Sequence, residues 1–456
     1  MPEAALLRRD RLGLALLVLV TIGAGVMTEL RSAYMRSRHT DLGVYLRASW
    51  AVREGIDHYT VTDDNGWHYT YPSLFAIAMI PFADAPPGSP QPAWAVPYPV
   101  SVALWYLLSV ALLAWSVHHL CRALEDTHPG GPCPAAAGGR RFWWTRTAPV
   151  WVCLPAVGST LFRGQVNLLA VALVAGCIAA AIRGRRGAAG WWLAGAACLK
   201  VIPGLLVLYP LVRRDWKMLG HFILAMTVGM VLIPVAVLGP ERAVATTETF
   251  VNQTILPGLT NKPGALSQEL TDITSTDNQS VLSIIHTTVH WSELPRPRTA
   301  DRGTKLAHMA VALLMVVWTF RATRRIADER YRTLFLLSGL TIVAVAVTPV
   351  NHTHYMALAI PAVLGLVYWD LETRGKFAWG PGLVLVVAVH VASGIWPRIP
   401  DLPGYQAARD LGVTMMGTLL VWYASLRFPR AKVETAPAPG PAPTGGLRLP
   451  GVSVFK

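Results

Sequence analysis

Apolar stretches long enough, or nearly long enough, to cross a bilayer recur along almost the whole chain, at residues 12–27, 100–117, 218–238, 309–320, 382–393 and 411–426, each with few or no charges. A membrane helix needs ~20 apolar residues, and somewhat fewer suffice where polar ends snorkel. So many such stretches point to an all-α polytopic membrane protein. Composition agrees: of the 456 residues, 53% are hydrophobic and 14% charged, and the mean hydropathy is +0.40. Arg8, Arg9 and Arg11 precede the first run as they would in a secretory leader, but no small-residue cleavage site comes before Glu29 and Arg31. The run reads as a retained first span.

A formal net charge of +14 raises the question of a nucleic-acid partner. The basic residues argue against one, because they fall in short clusters between apolar runs, as orientation by the positive-inside rule requires. Arg8 to Arg11; Arg140, Arg141 and Arg146; Arg183, Arg185 and Arg186; Arg213, Arg214 and Lys217; Arg321, Arg324, Arg325, Arg330 and Arg332; and Arg427, Arg430 and Lys432 mark the cytoplasmic side. The five cysteines form no CxxC pair, so neither a disulfide framework nor a zinc site is indicated by them.

Alternating sides from an inside start puts residues 29–97 in a first outer loop and 239–303 in a second. The tip at residues 163–167 and the turns at 348–355 and 396–406 are also outside. About 10–13 membrane helices are expected, some of them half-length. Between Arg186 and Lys217 the chain must cross an even number of times, yet the apolar stretch is too short for two full helices. It reads as a re-entrant hairpin of two half-helices, broken at Lys200-Val201-Ile202-Pro203-Gly204, which sets a lysine deep in the protein. Ionisable groups at such depth are functional by default. Residues 72–82 form a similarly short segment. Residues 1–430 are read as the membrane domain and 431–456, rich in Pro, Ala and Gly, as a disordered cytoplasmic tail.

Polar residues gather on the outer side. The first loop carries Arg36, Arg38 and His39, then Asp41, Asp57, His58 and Tyr71. The hairpin tip adds Arg163, Gln165 and Asn167, the second loop Asp277, Asn278, Gln279 and Ser280, and the 348–355 turn His352 and His354. The order Asp-Leu-x-Val-Tyr (from Asp41), Gly-x-Asp-x-Tyr (from Gly55), Tyr71-Pro72, Gly-Gln-Val-Asn (from Gly164), Lys-x-x-Pro (from Lys200), Asn278-Gln279-Ser280, and Thr348-Pro349 followed by His354 resembles glycosyltransferase family 87 over residues 30 to 370 or so. Each motif is weak alone, but seven in order are not. The resemblance implies a GT-C fold and a polyprenyl-phosphate-mannose-dependent α-mannosyltransferase, like those that extend phosphatidylinositol mannosides. It departs where the family has a His-His pair, here His354-Tyr355, and where a second proline follows Pro72, here Ser73.

The resemblance further implies that Asp41, early in the first outer loop, is the general base. A polyprenyl phosphate leaves as a stable anion, so the reaction needs a base for the acceptor hydroxyl and cationic or hydrogen-bonding groups for the phosphate rather than a general acid. His354, Lys200, Arg163, Gln165, Asn167, Asn278, Gln279, His352 and Tyr71 are the candidate phosphate or substrate contacts. Each has a plainer alternative: Asp41 as a helix cap, His354 as a packed interfacial histidine, Lys200 and Arg163 as snorkelling anchors, and the amides as partners for broken backbone. No metal or other cofactor is expected, since a lipid monophosphate donor does not demand one and Asp63-Asp64 makes no convincing metal site. The expected partners are the polyprenyl phosphate sugar, a glycolipid or glycan acceptor and membrane lipids, with no nucleic acid. The expected location is a bacterial inner membrane with the site facing outward. A transferase of another polyprenyl-linked sugar such as arabinofuranose, and a transporter or flippase, are the alternatives.

Overall fold

The computed structural model describes residues 2–35, 40–129, 140–257, 273–274, 278–374 and 379–430. Arg36, Arg38, His39, Cys133, Asp277 and the 431–456 tail lie outside the described residues. Among those described, regular structure is helical throughout apart from one isolated bridge between Thr62 and His68. Seven helices are long and apolar enough to cross a membrane: Leu12–Tyr34, Tyr98–Asp126, Trp216–Leu238, Arg302–Thr323, Glu329–Val347, Thr353–Arg374 and Pro381–Arg398. Two shorter apolar helices, Asn167–Ile182 and Ile202–Arg213, stand beside these seven. The chain is a multi-pass membrane protein.

Helices apolar on every side are stable only inside protein or against lipid, and both kinds occur here. In the Glu329–Val347 and Thr353–Arg374 spans 89% and 83% of the apolar window is buried, so these two form the centre. In Leu12–Tyr34 only 6% is buried, and Leu12, Leu16, Leu19, Ile22 and Val26 present an apolar surface that suits acyl chains rather than water. The buried core runs without interruption from the Asp41 helix to the last span.

The Tyr98–Asp126 helix, 29 residues long, gives the molecule two distinguishable ends. At its start the Tyr98 hydroxyl lies 3.1 Å from that of Thr40, next to Asp41. At its finish, roughly 40 Å away at 1.5 Å per residue, Glu125 takes a bidentate bond from Arg146 (2.9 and 3.1 Å), Asp126 pairs with Arg183 (3.0 Å), and Arg330 donates to the Leu124 carbonyl (3.0 Å). Members of three of the basic clusters therefore meet at the end opposite Asp41.

The hairpin expected between Arg186 and Lys217 is present. The Arg186–Leu199 helix stops at Lys200, whose backbone is extended (φ −151°, ψ 122°), and the chain resumes as a 3₁₀ turn, Ile202–Val207, leading into Leu208–Arg213. Small residues let the first half-helix approach its neighbour closely: a Cβ at Gly190 would stand 2.5 Å from the Met218 carbonyl oxygen. The first outer segment is more ordered than a loop. The opening span continues as a π-turn to Tyr34, and the segment then carries a 14-residue helix, Asp41–Glu54, followed by the short Ser73–Ala78 helix.

Candidate active site

Asp41 is the first residue of its helix, and Thr40, at the cap position, makes no side-chain capping bond. Capping does not engage the Asp41 carboxylate either. It is hydrogen-bonded to the Gln165 side chain instead, and its Oδ2 is buried without a hydrogen-bond partner among the described residues. Burial raises the carboxyl above the ordinary carboxylate range, while Arg163, the Gln165 bond and Lys200 pull it back down and Asp63 adds a small push upward. The result is a carboxylate made more basic by burial, with two cations within electrostatic reach.

Gln165 and Asn167 sit on the turn between the Leu154–Arg163 and Asn167–Ile182 helices. Gly164 makes that turn possible. It closes the first helix in the left-handed region (φ +64°), accepts a bond from Trp105 Nε1 on its carbonyl at 2.8 Å, and leaves so little room that a Cβ there would stand 2.9 Å from Leu42 Cβ. We expect Gly164→Ala to cost about 1–3 kcal/mol through backbone strain and the clash with Leu42, measurable as a lowered melting temperature in detergent. Melting at the wild-type temperature would contradict this reading of the turn. Gln165 Oε1 accepts from Tyr45 (3.1 Å) and Tyr71 (3.4 Å), which leaves its amide to face Asp41.

Lys200, 4% exposed, donates to Asn167 Oδ1 at 2.7 Å and lies over the Tyr355 ring at 3.6 Å, with the Tyr71 ring at 5.5 Å. Among the described residues it has no carboxylate in direct contact. Charge so deep, with only an amide and aromatic faces in direct contact and Asp41 at longer range, is an arrangement that favours an anionic visitor. It lines an apolar groove of about 490 Å³ with Tyr71, Tyr355, Ile202, Leu205, Phe250 and Val347. Asp41 stands behind Tyr45 and Tyr71 rather than on the groove wall.

Sequence reasoning singled out Arg163 but missed the two arginines near it. Arg31 and Arg398 both feel the Arg163 charge, and Arg31 also stacks on Phe162 at 4.1 Å. Among the described residues none of the three pairs with a carboxylate. Arg163, Lys200, His352 and Arg398 are all within electrostatic reach of His354, whose buried Nε2 has no described partner and whose backbone carbonyl accepts from Thr160 Oγ at 3.1 Å. The rings of His352 and His354 lie 5.4 Å apart. Among the described residues near Asp41, cations and imidazoles outnumber carboxylates, Asp63 being the other carboxylate that acts on it, and this balance suits an anionic ligand.

Asn278 and Gln279 are placed differently. Asn278 Nδ2 donates to the Pro349 carbonyl (3.2 Å), and its Oδ1 accepts from the Ser280 (3.0 Å) and Asn351 (3.1 Å) amides. Gln279 Nε2 donates to the Arg409 carbonyl at 3.3 Å. These amides satisfy backbone and hold the 348–351 turn that forms part of the groove wall. His58 and Tyr59 are structural too. His58 Nε2 is 3.1 Å from Ser73 Oγ, and burial lowers its ring to about 4, so it is neutral; Tyr59 donates to the Tyr71 carbonyl at 2.8 Å. Asp63 accepts from the Asn65 and Trp67 amides, both at 2.9 Å, and Asp64 pairs with Arg47 at 2.7 Å, so both carboxylates organise their own loop.

No curated protein matches the chain by sequence. Among solved structures, ArnT from Cupriavidus metallidurans bound to undecaprenyl phosphate aligns with a TM-score of 0.39 and 14% identity, covering 91% of this chain and 77% of that one. The same protein in its apo state aligns at 0.38 with 17% identity and the same coverage. The profile of glycosyltransferase family 87 matches residues 69–349, a segment that holds Tyr71, Arg163, Gln165, Asn167, Lys200, Asn278 and Gln279 and stops short of Asp41 and His354 on either side; the chain belongs to glycosyltransferase family 87.

Proposed function

We propose that the protein is a GT-C-type transferase that moves mannose from a polyprenyl phosphate carrier to a hydroxyl of a glycolipid or glycan, at the outer face of a bacterial inner membrane. The observation that carries this reading is the buried Asp41 carboxylate, with one oxygen unpartnered among the described residues and Lys200 and Arg163 within electrostatic reach. Asp41 takes the proton of the acceptor hydroxyl as that oxygen attacks the anomeric carbon. The bond from that carbon to the phosphate oxygen breaks, and the phosphate leaves as a monoester anion. A single in-line displacement inverts a β-linked donor to an α-linked product.

Lys200 at the groove and Arg163 beyond it are the groups suited to hold the leaving phosphate, with His354 and His352 adding polar contacts. Tyr71 and Gln165 fix the direction of the base. The groove beside Lys200, bordered by Ile202, Leu205, Phe250 and Val347, suits the first isoprene units. The collection of the basic clusters at the far end of the Tyr98–Asp126 helix supports an outward-facing site. A transporter would place its ionisable groups nearer the midplane, reachable from both sides.

The test is an assay in lipid nanodiscs with polyprenyl phosphate mannose, polyprenyl phosphate arabinofuranose or a mannosyl nucleotide as donor, and a native lipid extract as acceptor. Transfer is expected from the polyprenyl phosphate mannose alone. Transfer only from arabinofuranose would replace the sugar and keep the mechanism. Use of the nucleotide alone, or donor-independent flux across sealed vesicles, would overturn the reading.

A further inference from the structure

Apart from the candidate active site, three side chains of the second outer segment converge in a pattern that the transfer reaction does not use. His286 and His290 lie one helical turn apart at the end of the Val281–Val289 helix, with ring centroids 4.5 Å apart, and Asp301 is the cap of the next helix, Arg302–Thr323. Each of the three can offer one ligand atom such that all lie within 4.8 Å of one another.

The hydrogen bonds around the rings decide which atoms are on offer. His286 is fully buried, and its Nε2 is 2.8 Å from the Pro297 carbonyl. A carbonyl only accepts, so Nε2 carries the proton and Nδ1 keeps its lone pair; that Nδ1 has no partner. His290 Nδ1 donates to Glu293 Oε1 at 2.8 Å, which leaves Nε2 facing Asp301 Oδ2 at 3.5 Å. Asp301 is fixed in turn by Thr304, whose amide donates to Oδ1 at 2.9 Å and whose hydroxyl donates to Oδ2 at 2.5 Å, leaving the second lone pair of Oδ2 for a metal. A metal-binding histidine has this form, its outer N–H held by a carboxylate or a backbone carbonyl and its inner nitrogen bare.

We infer that His286, His290 and Asp301 form a divalent-metal site, best suited to Zn²⁺, that ties the Val281–Val289 helix to the start of the Arg302–Thr323 span. Two imidazoles and a carboxylate suit Zn²⁺ better than Mg²⁺ or Ca²⁺, which prefer all-oxygen sets. Neighbouring ligand atoms in a tetrahedral zinc site stand roughly 3.4 Å apart, from bond lengths near 2.0–2.1 Å. The His290–Asp301 pair already has that spacing, so His286 is the ring that must close in. Asp301 is half exposed, which gives a metal access from water. The nearby Arg296 does not oppose a cation with its full charge, since Asp410 pairs with it at 3.2 Å.

The site lies away from the transfer chemistry but at the far end of the helix that begins at Ser280. Ser280 Oγ donates to the Pro349 carbonyl at 2.8 Å, and Pro349 lines the groove. A metal here would brace the groove wall from a distance, and it leaves the expectation of a metal-free reaction unchanged.

The test uses the full chain purified on a tag without histidines, stripped with chelator, and titrated with zinc or with cobalt as a visible reporter. About one equivalent of either metal is expected per chain, with a tetrahedral cobalt spectrum and a melting temperature that zinc raises. Asp301→Asn keeps the helix cap, because Asn caps as well as Asp, yet it should weaken binding at least about tenfold. His290→Gln should do the same and abolish the thermal shift. Absence of binding in micromolar zinc, or equal binding by wild type and both variants, would overturn the proposal in favour of a protonated His290 shared between Glu293 and Asp301.

Discussion

Asp41→Asn is expected to lower the rate of sugar transfer by about 10²–10⁴-fold, the range in which a positioned general base contributes, without lowering the stability of the protein. Asn preserves the size of the side chain and one acceptor oxygen for the Gln165 amide. What it removes is the ability to take a proton. The loss should fall on kcat, with the donor KM close to wild type, because the donor phosphate is assigned to Lys200 and Arg163.

The stability half of that expectation follows from sign. A carboxyl whose folded pKa is raised above its unfolded value binds its proton more tightly when folded, so ionising it takes stability away at every pH above the unfolded pKa. Asp41 is in that position, with burial as the leading cause. At neutral pH the Asn variant should therefore melt at or above the wild-type temperature in the same detergent. A helix-capping Asp would behave in the opposite way. The same shift sets the pH profile: transfer by the wild type should rise with pH through a pKa above the ordinary carboxylate range, since the ionised form is the base. A fully active Asn variant, or one that is inactive because it no longer melts cooperatively, would remove Asp41 from the reaction.

How much of this was legible in the sequence depended on whether the signal was local. Membrane character, the half-helix hairpin and its break at Lys200 could be read because length, charge spacing and a Pro-Gly pair are properties of short windows. The gathering of Asp41, Gln165, Asn167 and Lys200 at one place was legible only through topology and the family resemblance, as the bonds joining them span tens to hundreds of residues. Arg31 and Arg398 were not legible as site residues. An arginine beside an apolar run looks the same whether it anchors at the lipid interface or turns inward, and only the electrostatic reach of Arg163 and the stack of Arg31 on Phe162 distinguish the two. Asn278 and Gln279 are polar residues for which the sequence leaves a substrate role and a backbone role both open, and the structure gives their side-chain amides the Pro349 and Arg409 carbonyls as partners. Topology places residues 41–54 only within the first outer loop, and the helix they form there has no sequence signal beyond Asp41 as a possible cap. Its middle is buried under Tyr71 and Phe75 through Tyr45, a contact no local pattern announces.

Lys200→Met separates a structural lysine from a phosphate-binding one, and the two alternatives predict opposite changes. Met fills nearly the same volume without the charge. If Lys200 merely stabilised the hairpin through Asn167, its loss would leave the Asn167 amide oxygen buried and unpaired, and the protein would melt lower. If it waits for an anion, the folded protein carries an uncompensated buried cation, whose removal is neutral or stabilising, and the damage appears in catalysis. The expected result is the second: melting at or above wild type, with transfer reduced by about 10²–10³-fold, the cost of losing one preorganised group at a developing anion. The split between constants then locates the contact. A fall in kcat with little change in the donor KM places the ammonium at the bond that breaks, whereas a raised KM alone makes it an anchor for the bound lipid. Lys200→Arg should not rescue, because the ammonium lies 3.6 Å from the Tyr355 ring and 2.7 Å from Asn167, a space that admits a point charge and excludes a planar fork. A Met variant that melts lower and transfers at the wild-type rate would return Lys200 to a purely structural role and leave the groove without its anion-binding group.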